Sequence, residues 1–108
     1  MSTKKELNID YIIDTVATYY KIPREVLMYG NRERRSSEPR QVAAYCIYKF
    51  SDKSYPFIAK LFNKRTHQTI MYAVRKVSEW MDNPILNKEA VNCIQCVLKH
   101  KNLDNERL

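Results

Sequence analysis

Residues 54–81 read SYPFIAKLFNKRTHQTIMYAVRKVSEWM, and the fold depends on how they divide. Phe57, Ile58, Leu61 and Phe62 have the spacing of a short amphipathic helix with Pro56 in its first turn. Asn63, Lys64 and Arg65 interrupt the apolar pattern. It resumes at Ile70, Ala73, Val74, Val77 and Met81, which predicts one buried stripe on a second, longer helix. Between the stripes, Arg65, Thr66, His67, Gln68 and Thr69 all carry hydrogen-bonding side chains and fall on the first turn of that helix. Two helices joined by a tight polar turn, the second presenting its N-terminal side chains outward, make a helix-turn-helix of the kind that enters the DNA major groove.

Upstream, Asn8 suits an N-cap, and Ile9, Ile12, Ile13, Val16, Ala17 and Tyr20 follow at helical steps as a core face. Pro23 opens a short helix, with Val26 and Leu27 as its contacts and Gly30 as its C-cap. Residues 31–40, NRERRSSEPR, hold no apolar side chain. Taken alone, this segment reads as a solvated connector; beside a helix-turn-helix it reads as an arginine loop for a narrow minor groove. Pro39 then starts a third helix, with Val42, Ala43, Cys46, Ile47 and Phe50 buried. Arg40 and Gln41 fall in its first turn, where the backbone dipole favours a phosphate. Downstream, Asp82, Asn83 and Pro84 stop the long helix, and a last helix from about residue 87 to 101 packs through Val91, Ile94, Val97 and Leu98.

These elements make an all-α protein, a small bundle of about six helices, with one domain over residues 8–101. The helix-turn-helix occupies about 54–82, between a disordered start (1–7) and a frayed tail (102–108). At 108 residues the chain supports one modest core. Nineteen Lys and Arg against twelve Asp and Glu leave a net charge of +7, with a pI near 9.4, which favours a polyanionic partner through counterion release. The start MSTKKELNID lacks the hydrophobic segment of a signal peptide, and no apolar run is long enough to span a bilayer. A cytoplasmic, nucleoid-associated protein is the expectation, with no membrane partner. Three cysteines then read as free thiols.

Other chemistries fit less well. Cys93, Cys96 and His100 share a helical face, and Cys46 is a conceivable fourth ligand, but structural zinc usually draws its paired cysteines from a turn; a packed thiol pair is the better reading, with no metal or other cofactor. No general acid and base pair can be nominated, so the chain does not read as an enzyme. Trp80 and Tyr19, Tyr20, Tyr45 and Tyr48 lie beside apolar stripes and read as core and boundary residues rather than a stacking platform for single strands. RNA would have to be met in loops, because an A-form major groove is too narrow for the helix. The serious alternative to DNA is a basic helical module that docks an acidic protein.

The strings VATYYKIP (16–23), RERRSSEPRQVAAY (32–45), YPFIAKLF (55–62) and KRTHQTIMYAVRKV (64–77), in this order, resemble the C-terminal DNA-binding domain of the bacterial replication initiator DnaA over roughly residues 7–100. That resemblance implies a Trp-repressor-like helix-turn-helix fold with an additional basic loop, double-stranded DNA as partner, and a process connected with replication initiation or its regulation. A separate replication or regulatory protein is a further partner it suggests. By position, Arg32 would enter the minor groove with Arg34 in support, and Arg40 and Gln41 would meet phosphates. Tyr55 and Pro56 would meet DNA ahead of the first motif helix. Arg65, Thr66, His67, Gln68 and Thr69 would read bases, and Lys76 would contact the backbone.

The chain also departs from that pattern. Thr66 replaces an aspartate able to accept from a cytosine amino group, and Gln68 replaces a small hydroxyl residue with an amide suited to adenine. Duplex binding with an altered sequence preference is the expectation. Ala59 and Asn63 stand where glycines are usual. The single glycine rules out a GxxxxGK phosphate loop within these 108 residues, so no nucleotide partner is expected. The resemblance fits a standalone binder or one domain of a longer protein, and Met1 favours the former.

Overall fold

Val42, Ala43, Ala44, Tyr45, Cys46 and Ile47 are buried in succession, the pattern of a helix enclosed on all sides. In the computed structural model, which describes residues 7–29, 34–62 and 67–107 (34–36 and 100–107 by backbone alone), they lie in α3, Arg34–Phe50. Around it are α1 (Ile9–Tyr20), α2 (Arg24–Tyr29), α4 (Tyr55–Leu61), α5 (Gln68–Asp82) and α6 (Lys88–Arg107), with a single 3₁₀ turn at Pro84–Leu86. Helix α3 packs against each of the other five α-helices, and the described residues contain no strand. The all-α helical bundle expected from the periodicities is the observed architecture.

Local chemistry sets most of the boundaries. The Asn8 side chain accepts from the N–H groups of Asp10 (2.7 Å) and Tyr11 (3.3 Å), satisfying donors that α1 leaves open. That helix ends at Lys21 in the left-handed region (φ 60°), where the Ile22 N–H returns to the Ala17 carbonyl at 3.0 Å and buried Ile22 supplies the apolar contact of such a cap. Ser54 caps α4 by accepting from the Phe57 N–H, and Asn87 caps α6 by accepting from the Ala90 N–H. Leu7 is already part of the domain rather than of a disordered start. It is buried, donates to the Phe50 carbonyl at 2.9 Å and accepts from the hydroxyl of buried Ser51.

Several expectations need correction. Helix α3 begins at Arg34, so Pro39 lies within it rather than at its start. A proline at the sixth position removes one backbone bond and crowds the carbonyl four residues earlier. The preceding Glu38 carboxylate compensates by accepting from Tyr20 Oη (2.7 Å) and Asn87 Nδ2 (3.0 Å), which ties α3 to α1 and the start of α6. Phe57 is 45% exposed, because seven residues give α4 a single buried stripe and Ile58, Ala59 and Phe62 fill it. On α5 it is Trp80 that completes the buried face, with Met81 only half-buried. Helix α6 continues to Arg107, past the expected end near 101. Gly30 and Asn63 lie outside the described residues.

Cys46, Cys93 and Cys96 are free, the first two buried and the third half-buried. Burial pushes the Cys93 thiol up to about 12 and the Cys46 thiol upward too, so both stay protonated at neutral pH. The side chain of His100 falls outside the described residues.

Candidate nucleic-acid interface

Helix α5 is held by Ile70, Ala73, Val74 and Val77, which bury it mainly against α3, while α4 packs beside it. Its first turn is left facing water: Gln68 and Thr69 open the helix and are exposed, as is His67, which occupies the N-cap position without making a side-chain cap bond. Met71 and Tyr72 continue this outer surface. Buried stripe and displayed first turn are both consequences of one sequence pattern, apolar at helical spacing and polar between. Arg65 and Thr66 lie outside the described residues.

Between the N-terminal halves of α3 and α5 runs a cleft of about 90 Å³. Arg40 and Gln41 line it from α3, and Thr69 and Tyr72 from α5, over a floor of Ala44 and Ala73. Three residues expected to touch DNA thus share one cleft. Arg40 has a second employment that the sequence did not reveal. Its Nε donates to the Leu27 carbonyl at 2.8 Å and its Nη2 to the Val26 carbonyl at 3.3 Å, closing the C-terminal end of α2 and fixing the guanidinium at the cleft edge. Burial lowers its pKa.

Tyr55 and Pro56 form the first turn of α4, with Pro56 exposed. The Tyr55 ring stacks on Tyr48 with centroids 4.5 Å apart and planes 3° apart. A hydrogen bond between these two side chains raises the Tyr55 pKa, and Arg75 lies close enough to oppose the shift. Lys53 Nζ lies 5.4 Å from the centroid of the Phe57 ring. Lys76 leans back along α5, donating to Tyr72 Oη at 3.3 Å with its ammonium 5.5 Å from the ring centroid. Arg32 lies outside the described residues, and Arg34 is described only as the first residue of α3.

Sequence reasoning missed two participants. Glu38 was hidden in a run without apolar residues, and nothing local marks it as the anchor of the arginine segment. Tyr72 could have been found, since an aromatic four residues ahead of a lysine on the outer face of a helix is a spacing that brings ring and cation together.

An all-α bundle with a helix-turn-helix, its second helix buried along one stripe and polar at its exposed start, defines the class. Residues 9–77 match the family described as bacterial dnaA protein helix-turn-helix, and the chain belongs to that family. Among its relatives, the chromosomal replication initiator protein DnaA of Rickettsia akari (strain Hartford) is 33% identical over 99 residues, covering 92% of this chain and 21% of the relative. That of Jannaschia sp. (strain CCS1) is 39% identical over 80 residues, covering 74% and 17%. The chain therefore spans about one fifth of the length of the curated relatives it matches. Among the described residues no helix is long and apolar enough to cross a membrane.

Proposed function

We propose that this chain binds double-stranded DNA with sequence preference, placing the start of α5 in the major groove and the arginine segment, with Arg32 foremost and Arg34 behind it, in the adjacent minor groove. The observation that carries the reading is the exposed polar first turn of α5, His67 to Thr69, on a helix otherwise fixed by its buried stripe. Arg65, Thr66, His67, Gln68 and Thr69 meet base edges. Arg40, Gln41 and Lys76 meet phosphates, while Tyr55 and Pro56 meet the duplex beside α4. The relatives are named as chromosomal replication initiators, and the process is replication initiation or its regulation, in the cytoplasm at the nucleoid. Any ATPase partner or separate regulatory protein is recruited from outside these 108 residues, and the interface itself is a binding surface rather than a catalytic one.

The altered reading residues fix what the preferred site should look like. Removing or changing one base-specific hydrogen-bonding pair costs about 1–3 kcal/mol, enough to move the preferred sequence. Gln68 favours adenine where a small hydroxyl residue would not, and Thr66 gives up the carboxylate that selects cytosine. Selection from a random duplex library at near-physiological salt, followed by titration of the winner against a scrambled duplex, tests the proposal. The expected winner has an A·T-rich minor-groove half and binds at least about tenfold better than the scramble. Enrichment of nothing, with binding that vanishes as salt rises, would sink sequence-specific recognition and leave a basic bundle that docks an acidic partner.

A further inference from the structure

Tyr72 is 56% exposed on the outer face of α5. Its partner is Lys76, whose ammonium donates to the Tyr72 hydroxyl at 3.3 Å and lies 5.5 Å from the ring centroid. Helical side chains lean toward the N-terminus, so a lysine that rests on the residue four positions earlier carries its charge about one turn, ~5.4 Å, toward the displayed end of the helix. Tyr72 also lines the α3–α5 cleft with Arg40, Gln41 and Thr69, so the residue on which the ammonium rests belongs to the wall those residues share. A lysine without such a rest has four rotatable methylenes and spends much of its time elsewhere.

We propose that Tyr72 is a positioning residue for Lys76: ring and hydroxyl together hold the ammonium at the edge of the α3–α5 cleft, set to meet a backbone phosphate of a duplex. This rests on the DNA-binding reading above and adds to it a residue that works through another. A helix-stabilising pair would leave affinity for DNA untouched, whereas a positioning residue loses its effect once the lysine it positions is gone.

The test is a double-mutant cycle on the full chain with a fluorescein-labelled duplex of scrambled sequence, followed by anisotropy, because a phosphate contact needs no particular base order. Lys76→Ala should weaken binding and lower the salt slope by about 1. Tyr72→Ala should weaken binding about two- to fivefold, as expected when an exposed cation–ring interaction is removed, and Tyr72→Phe should fall between it and the parent. The double variant should bind no worse than Lys76→Ala alone. If Tyr72→Ala binds like the parent, or if its effect persists undiminished in the Lys76→Ala background, the inference is overturned while the DNA-binding reading stands. A parent chain that binds neither this duplex nor any site selected from the random library removes both.

Discussion

Removing the Glu38 carboxylate should loosen three helices at once. Its two oxygens accept from Tyr20 Oη at 2.7 Å and Asn87 Nδ2 at 3.0 Å, joining α1, α3 and the cap of α6. Hydrogen bonds to a charged group contribute about 1.5–3 kcal/mol each, and half-exposure of this carboxylate moves the pair toward the lower end, so Glu38→Ala should cost about 3 kcal/mol. Glu38→Gln has a milder outcome. Its oxygen can still accept from Asn87 and its amide can donate to the Tyr20 hydroxyl, so only the charge assistance is lost, about 1 kcal/mol. Asn87 cannot turn to help, because its own Oδ1 holds the Ala90 N–H at 3.1 Å. Urea denaturation followed by far-ultraviolet circular dichroism, with unchanged slope, reads both values. A destabilisation of less than about 0.5 kcal/mol for the alanine variant, or a glutamine variant as damaged as the alanine one, would refute the anchoring role. Because Pro39, Arg40 and Gln41 follow directly, the alanine variant should also bind DNA less well.

The thiols make a separate prediction: Ellman's reagent should modify Cys96 in the native protein, whereas buried Cys46 and Cys93 should react only after unfolding. Stability should fall in alkali. Below the ordinary thiol range the Cys93 contribution is fully present; as pH rises toward about 12 the unfolded chain releases a proton that the folded chain keeps, and stability is lost. The decline is about 1.4 kcal/mol per pH unit for each such thiol, so urea midpoints at about pH 8 and about pH 10 should converge in Cys93→Ala relative to the parent. An unchanged difference would mean that another group governs the alkaline decline. On DNA, Arg32→Ala and His67→Ala should relax sequence preference, whereas Lys76→Ala should weaken all duplexes about equally. The reverse pattern in competition binding would require a different docked pose.

Apolar periodicity carried most of the fold, because burial of one face is what fixes each helix: the α1 face from Ile12 to Ala17 and the α5 stripe from Ile70 to Val77 both stand as expected. Failures occurred where a distant partner overruled a local signal. Pro39 reads as a helix start, and a carboxylate held from two other helices lets α3 begin before it. Lys21 takes a positive φ of 60° that no turn propensity announces, whereas Asp52, at 58°, is of a type that tolerates the left-handed region. At the candidate site, the outward display of His67, Gln68 and Thr69 follows from their place between apolar stripes. The tie from Arg40 to the Val26 and Leu27 carbonyls does not, since it joins residues that only the packing of α2 on α3 brings together.

The uneven packing around α3 has a consequence for motion. Helix α4 rests mainly on α3 and α5, through Ile58, Ala59 and Phe62, whereas α3 touches every other helix. Freeing α4 exposes one short stripe, Ile58, Ala59 and Phe62, and the patch beneath it; freeing α3 exposes the whole core. Amide hydrogen exchange should therefore resolve α4 as a separate, early-opening unit, with α3 exchanging only by global unfolding. Since α4 carries Tyr55 and Pro56, any duplex that grips those residues would close this opening and slow exchange along α4 well beyond the residues it touches.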